Sequence, residues 1–294
     1  MNILICGGSG QLGSDCLNVL QKKHKVTALD LNDLDITSLA KMDEAMHRLM
    51  PDLIVNCAAY TNVDACETEK DMALKVNFQG PKNLASLVKK YDKRLIHIST
   101  DYVFSGKKEL FDSYKEDDKT EPLSFYGKTK LESEDVVRNL TDKHVILRTG
   151  WLFGMNGHNF LKTMLKLALH NPEKEIKVVN DQFGSPTWSY RLSLQIEKMI
   201  ETGYLGTYHA TSDGYCTWYE LAICFLEKMG VAHSIVSCTT DEYPTPALRP
   251  ANSILENRHL KNKAADIMPH WKDDVTQFVC KYKDRLISEA KEEI

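Results

Sequence analysis

Short, nearly continuous apolar runs alternate with amphipathic stretches through the first half of the chain. "NILIC" (2–6), "KVTALD" (25–30), "DLIVNCAA" (52–59), "KRLIHIST" (93–100) and "HVILRT" (144–149) read as buried strands. Between the first two, "QLGSDCLNVLQK" (11–22) places Leu12, Cys16, Val19 and Leu20 on one helical face. Further helical patterns cover 38–49, 68–90 and 124–140. Apolar strands separated by amphipathic helices predict a parallel sheet covered on both faces. That is an α/β, Rossmann-like doubly wound fold, whose ligand crevice lies beyond the carboxyl ends of the strands. After about residue 150 the alternation weakens. "NFLKTMLKLAL" (159–169) and "TWYELAICFLEKMG" (217–230) still read as amphipathic helices, the second closed by Gly230. Residues 1–150 are therefore expected to form the sheet domain. Residues 151–294 are expected to form a smaller α/β region that closes over the crevice and partly returns to the sheet.

Composition narrows the class. The 294-residue chain is 43% hydrophobic and 27% charged, with a formal net charge of −4. That balance suits a globular protein and gives no general attraction to nucleic acid or to an anionic membrane. No apolar run approaches the roughly 20 residues that span a bilayer. The N-terminus begins a strand at once, without the pattern of a secretory leader, so a cytoplasmic location is expected. The eight cysteines are scattered and form no CxxC pair. They read as small buried hydrophobes in a reducing compartment, and the triplet Asn139-Leu140-Thr141 would then stay unglycosylated. The charge-rich "YKEDDKTEP" (114–122) reads as a solvated loop, with a mobile lid as its alternative.

Candidate chemistry begins at "ICGGSGQLG" (5–13), where a strand runs into glycines and then a helix. Gly7 permits a tight turn, Gly10 lets backbone approach a pyrophosphate, and Gly13 lets the helix pack close to the strand. The helix N-terminus then offers free N–H groups and a positive dipole end to phosphates. The spacing is GxxGxxG rather than GxGxxG, so the strand–loop–helix context carries the inference. Asp30 ends the second strand, where a carboxylate holds the 2′-OH of an adenosine ribose and repels a 2′-phosphate. No arginine stands beside it, so the local charge favours NADH.

A second constellation follows. "STDYVF" (99–104) ends the fourth strand, and "YGKTK" (126–130) opens the next helix. Tyr126 and Lys130 are four apart and share one helical face. The lysine ammonium is expected to lower the phenol pKa, making Tyr126 a proton donor at neutral pH. Thr100 is placed to polarise a reacting carbonyl.

Together these motifs resemble the extended short-chain dehydrogenase/reductases, and within them the dTDP-4-dehydrorhamnose reductase family. "GGSGQLG", "LDITS", "VNCAAYTNVDACE", "STDYVFSG", "YGKTKLE", "RTGWLFG", "DQFGSPT", "GTYHAT…CTWYELA" and "RPANSILEN" carry the resemblance along nearly the whole chain. It implies reduction of the 4-keto group of dTDP-4-dehydro-L-rhamnose to dTDP-L-rhamnose, a precursor of cell-surface polysaccharide. It also implies NADPH as cofactor, so use of both NADPH and NADH is expected. By position, the resemblance assigns phosphate contacts to Gly10, Gln11 and Leu12, the ribose to Asp30, and the adenine surroundings to Asp35 and Ile36. Ala58, Ala59, Tyr60 and Thr61 line the cofactor, with Tyr126 and Lys130 at its reacting end. Thr100, Asp101, Tyr126 and Trp151 face the sugar. Asn159, Gln182 and Arg249 are further substrate contacts, Arg249 for the diphosphate.

Ser105 stands where aspartate is common in the family. Some relatives bind Mg²⁺ through carboxylates at a dimer interface. Asp15 matches one such position, but Tyr190 stands where another carboxylate belongs, which argues against the metal and leaves monomer and homodimer open. A sugar-nucleotide 4,6-dehydratase needs an acid where Tyr102 stands. A 4-epimerase shares Tyr126 and Lys130 and is excluded less firmly. A non-catalytic NADP-binding regulatory subunit, like that of methionine adenosyltransferase, is the alternative from a different class.

Overall fold

The computed structural model describes residues 1–292. The first half alternates as expected: β1 (Asn2–Cys6), α1 (Gln11–Leu20), β2 (Lys25–Leu29), α2 (Leu39–Leu49), β3 (Leu53–Asn56), α3 (Ala65–Thr68), α4 (Lys70–Leu74), α5 (Gly80–Lys90), β4 (Arg94–Thr100), α6 (Phe125–Leu140) and β5 (His144–Thr149). The second half adds β6 (Leu152–Phe153), α7 (Phe160–His170), β7 (Ile176–Val179), β8 (Phe183–Gly184), β9 (Thr187–Trp188), α8 (Ser189–Thr202), β10 (Gly206–His209), β11 (Cys216–Thr217), α9 (Trp218–Met229), β12 (Ile235–Cys238), α10 (Arg258–Asn262) and α11 (Trp271–Glu292).

Six strands form one parallel sheet in the order β10-β5-β4-β3-β1-β2. The order reverses between β1 and β3, and there a doubly wound sheet opens its crevice. One face is covered by α1 and α8, whose Leu12, Cys16, Val19, Leu192 and Ile196 share a core with Ile3, Ile5 and Val55. The other is covered by α2, α5 and α6, with Met42, Met46, Leu84, Val88 and Val137 packed on Leu4, Ile54 and Ile146. A separate core holds α7, α9 and α11 together through Leu161, Leu165, Phe225 and Phe278. Among the described residues, no helix is long and apolar enough to cross a membrane.

Two expectations from the pattern change. The helix expected over 68–90 is broken: α4 gives way to a π-helical turn, Lys75–Gln79, before α5 begins. The strand expected over 52–59 stops at Asn56. Cys57 to Ala59 are apolar enough to continue it, but there the chain bends away toward the crevice. The charge-rich 114–122 segment is fastened rather than free. Glu116 is buried and accepts the backbone N–H groups of His209 (3.1 Å) and His259 (3.0 Å). Tyr114 N–H donates to the Ile254 carbonyl at 2.7 Å, and Glu121 N–H to that of Val103 at 2.9 Å.

The helix α6 is pinned to the sheet by charge. Arg148 on β5 donates to the Glu134 carboxylate from Nε (2.9 Å) and Nη2 (2.7 Å), and the Ser99 hydroxyl on β4 donates to the same group. The side chains of Glu134 and Arg148 are 0% and 4% exposed. Burial pushes the Glu134 carboxyl up, but Arg148 and the Ser99 hydroxyl outweigh it and hold the pKa below its ordinary value. The stabilisation is therefore complete above the ordinary glutamate value of 4.5 and fades as the pH falls through the lowered one. Glu134→Gln is expected to lose about 3–5 kcal/mol at neutral pH, because Arg148 stays buried and uncompensated. Urea unfolding should show that deficit shrinking in acid; a deficit independent of pH would mean the charge is not what holds α6.

Candidate active site

The glycine loop is built by close approach. Gly7 has φ +81°, and a Cβ on Gly13 would lie 1.9 Å from the Gly7 carbonyl oxygen. Only glycine lets α1 begin this near β1. Gly10 differs. Its Cβ would meet nothing nearer than that same oxygen at 3.4 Å, yet it lines the crevice. No protein neighbour demands glycine at position 10.

The crevice is a cleft of about 650 Å³. It gathers Gly10, Gln11, Leu12, Gly13, Ala59, Thr61, Thr100, Asp101, Tyr126, Lys130, Trp151 and Arg249 into one site. Thr100 ends β4, and its Oγ1 receives the Tyr102 N–H (3.2 Å) and donates to Asp101 (2.9 Å). The Ser124 hydroxyl caps α6 by accepting the Gly127 N–H at 3.2 Å. A Cβ on Gly127 would lie 2.2 Å from the Tyr102 carbonyl oxygen, so this glycine lets the first turn of α6 press against the end of β4. Tyr126 thereby stands with Thr100 in the lining of the same cleft.

The electrostatics differ from expectation. Burial pushes the Tyr126 phenol above its ordinary value, and the nearby Thr100 hydroxyl only partly offsets this. Lys130 does not lower it. Its ammonium donates instead to the Ile98 carbonyl at 2.7 Å, and burial brings its own pKa down to about 8. Burial likewise raises Asp101 to about 6, against the hydrogen bond from Thr100.

Most of the other predicted residues stand outside the cleft lining. Gly7 shapes the turn. Asp30 accepts the Ser9 N–H at 2.7 Å and so fixes the outer edge of the glycine loop. Asp35 is engaged by the Thr37 N–H and hydroxyl (2.9 and 2.7 Å), and Ile36 is buried against Gly80. Ala58 N–H donates to Asn56 at 3.2 Å. The Tyr60 hydroxyl is taken by Glu69 at 2.6 Å. Asn159 caps α7 and donates to Gln11 at 3.0 Å, and buried Gln182 donates to Thr240 at 3.1 Å. Arg249 faces the cleft, but its guanidinium is held by Asp64 at 3.0 and 2.9 Å. Asp15, the position linked above to a metal, accepts the Ser189 hydroxyl on α8. Among the described residues, no group of three or more His, Cys, Asp or Glu is arranged to hold a metal ion.

Sequence reasoning missed Trp218. It lines the cleft and stacks on Trp151, with ring centroids 3.7 Å apart and planes 6° apart. Trp151 takes φ +48°, a strained conformation outside glycine. Trp218 follows the capping box of Thr217 and Glu220, which fixes the first turn of α9. That box is readable in "CTWYE", but helical periodicity says nothing of what the aromatic at its first position meets. Tyr102 was also missed; it lines the cleft and its ring lies edge-on to Tyr126 at 6.0 Å.

A doubly wound sheet with a glycine loop at its switch point and a Thr–Tyr–Lys set beyond β4 defines an extended short-chain dehydrogenase/reductase architecture. The family model described as "RmlD substrate binding domain" matches residues 1–284. The dTDP-4-dehydrorhamnose reductase of Aggregatibacter actinomycetemcomitans is 40% identical over 269 residues, which is 86% of this chain and 90% of that one. A crystal structure of a dTDP-4-dehydrorhamnose reductase from Clostridium acetobutylicum superposes with a TM-score of 0.93 at 40% identity, covering 96% of this chain and 100% of that one. Another from Bacillus anthracis, in complex with NADP, gives 0.92 at 34% identity over 95% and 99%. The chain belongs to the dTDP-4-dehydrorhamnose reductase family.

The two glycines should separate by experiment. Gly13→Ala is expected to cost about 1–3 kcal/mol in urea unfolding, as an overpacked site does. Gly10→Ala should unfold close to wild type yet bind a nicotinamide dinucleotide far more weakly. Equal stability losses would mean that the fold, not a ligand, needs glycine at position 10.

Proposed function

We propose that this protein reduces the 4-keto group of dTDP-4-dehydro-L-rhamnose to give dTDP-L-rhamnose, using a reduced nicotinamide dinucleotide. What carries the reading is the meeting of Thr100, Tyr126 and Lys130 in one cleft of a chain that resembles these reductases over almost its full length. The open backbone at Gly10 and the buried, unpartnered Thr149 hydroxyl in the cleft suit a bound dinucleotide. Gly10 to Gly13 would take its pyrophosphate and Asp30 its adenosine ribose, with Lys130 at the nicotinamide end. When bound, the reduced nicotinamide supplies a hydride to the carbonyl carbon.

The chain's own part is the proton. Burial keeps Tyr126 protonated at neutral pH, so its phenol is loaded to donate to the keto oxygen as that oxygen gains charge. The Thr100 hydroxyl, in the same cleft as the phenol, can turn from Asp101 to hold the keto oxygen during the transfer. Lys130, kept on the Ile98 carbonyl with its pKa near 8, offers positive charge to the phenolate left behind. Trp151 and Trp218 give an apolar wall on which the sugar nucleotide can rest and exclude water. Arg249 reaches a diphosphate by sharing or releasing Asp64.

Turnover followed by reduced-nicotinamide absorbance, with enzymatically prepared dTDP-4-dehydro-L-rhamnose, tests this directly. Consumption should require the sugar, and Tyr126→Phe should lower kcat on the order of 10²–10⁴-fold while leaving dinucleotide affinity nearly intact. A Tyr126→Phe enzyme within a few-fold of wild type would show that another group supplies the proton. Both NADPH and NADH are expected to serve. Asp30→Ala should weaken NADH more than NADPH, since it removes a 2′-OH acceptor and a 2′-phosphate repellent together; equal losses would mean that Asp30 does not sense that position.

A further inference from the structure

Leu95, His97 and Ser99 alternate along β4 toward α6. Leu95 shares an apolar core with Val137, and Ser99 bonds Glu134. His97 lies between them, 0% exposed, with a partner on each ring nitrogen. Asn56 Nδ2 lies 3.1 Å from Nδ1, and the Ser133 hydroxyl 2.9 Å from Nε2. The direction of every proton in this chain follows from one group that can only donate. The Ala58 N–H bonds the Asn56 side chain at 3.2 Å, so the atom it meets is the amide oxygen. The Asn56 amide nitrogen then faces His97 and donates to Nδ1. The ring proton therefore sits on Nε2 and is given to Ser133, whose own hydroxyl donates to the Lys130 carbonyl at 2.6 Å. Asn56 and Ser133 are 1% and 0% exposed, so water does not substitute for any of these bonds.

We propose that His97 is a positioning residue that fixes the backbone of Lys130 relative to the cleft floor at residues 57–59. One end of the chain is Ala58, between the cleft-lining Cys57 and Ala59; the other is Lys130, whose ammonium is held by the residue next to His97, Ile98. A neutral ring with a single tautomer is a rigid link between them, running beside the bridge that Asn77 makes from Tyr60 to Thr129, and burial keeps it neutral by lowering its pKa well below the ordinary histidine value. His97 touches neither the reacting atoms nor the cleft, so its effect is transmitted through Asn56 and Ser133. The inference rests on the reductase reading for what Lys130 does, but not for where Lys130 and residues 57–59 stand.

The test compares His97→Phe, which keeps a flat ring and removes both nitrogens, with His97→Gln, whose amide N–H can still reach Ser133. NADPH affinity is read by nicotinamide fluorescence, kcat and KM by turnover of the keto sugar, and folding by urea unfolding. His97→Phe is expected to bind NADPH on the order of tenfold more weakly and to lose roughly 10–100-fold in kcat, as a small misplacement of a reacting group does. His97→Gln should stay within about threefold of wild type on both. If His97→Phe does not fold, Ser133→Ala cuts the chain at its helical end and should lower kcat more than NADPH affinity. A folded His97→Phe with wild-type binding and turnover would overturn the proposal, and so would equal losses in the Phe and Gln variants. Wild-type protein that binds NADPH but leaves the keto sugar untouched would overturn the reductase reading alone, because the ranking of NADPH affinities still decides the role of His97. Wild-type protein that binds no dinucleotide overturns both.

Discussion

The site depends on a buried ion pair that touches no ligand. Glu134 and Arg148 are almost without solvent, and such charges are costly to bury unless geometry is good and the remaining donors and acceptors are filled. Here Arg148 reaches both oxygens of one carboxylate, and the Ser99 hydroxyl and Arg138 bond the same group. Three elements, β4, α6 and β5, meet at this carboxylate. Because Ser99 immediately precedes Thr100, and Glu134 lies one helical turn beyond Lys130, the pair fixes the distance between the hydroxyl and the helix that carries Tyr126. A hydrophobic replacement could hold the elements as firmly, but it would set their register less sharply than a bidentate contact does.

Around this pin, the sheet and helices do what their patterns dictate. The strands β3, β4 and β5 carry apolar residues toward both helical layers, as a parallel sheet covered on two sides requires. The cleft lies where the order of strands reverses, and the chain spends its unusual backbone there. Gly7 turns in the left-handed region, Gly13 touches the Gly7 carbonyl, and Trp151 holds a strained φ. These departures lie on loops and element ends that a rigid frame positions, where strain can be sustained.

Much of this was legible beforehand. The five apolar runs, the helix at 124–140 and the glycine loop follow from period and composition alone. So did the meeting of Thr100, Tyr126 and Lys130 in one place, since topology brings the ends of adjacent strands together. What failed to show was direction and distance. An i, i+4 spacing puts Tyr126 and Lys130 on one face, but it does not say that the ammonium reaches back to the Ile98 carbonyl. Hence the phenol was expected lower in pKa, and burial instead raises it. Arg249 read as a free guanidinium, because nothing in its own neighbourhood announces Asp64, which lies 185 residues away. Trp218 looked like a helix residue, because its partner Trp151 is supplied by a separate part of the chain.

The stacked pair has one more consequence. The chain holds four tryptophans, and two of them, Trp151 and Trp218, lie face to face in the cleft. The other two, Trp188 and Trp271, are each 2% exposed in the core built around α7, α9 and α11. Stacked indoles couple their excited states in a way that isolated indoles do not, so the cleft pair gives the native protein a circular-dichroism signature that depends on its stacking.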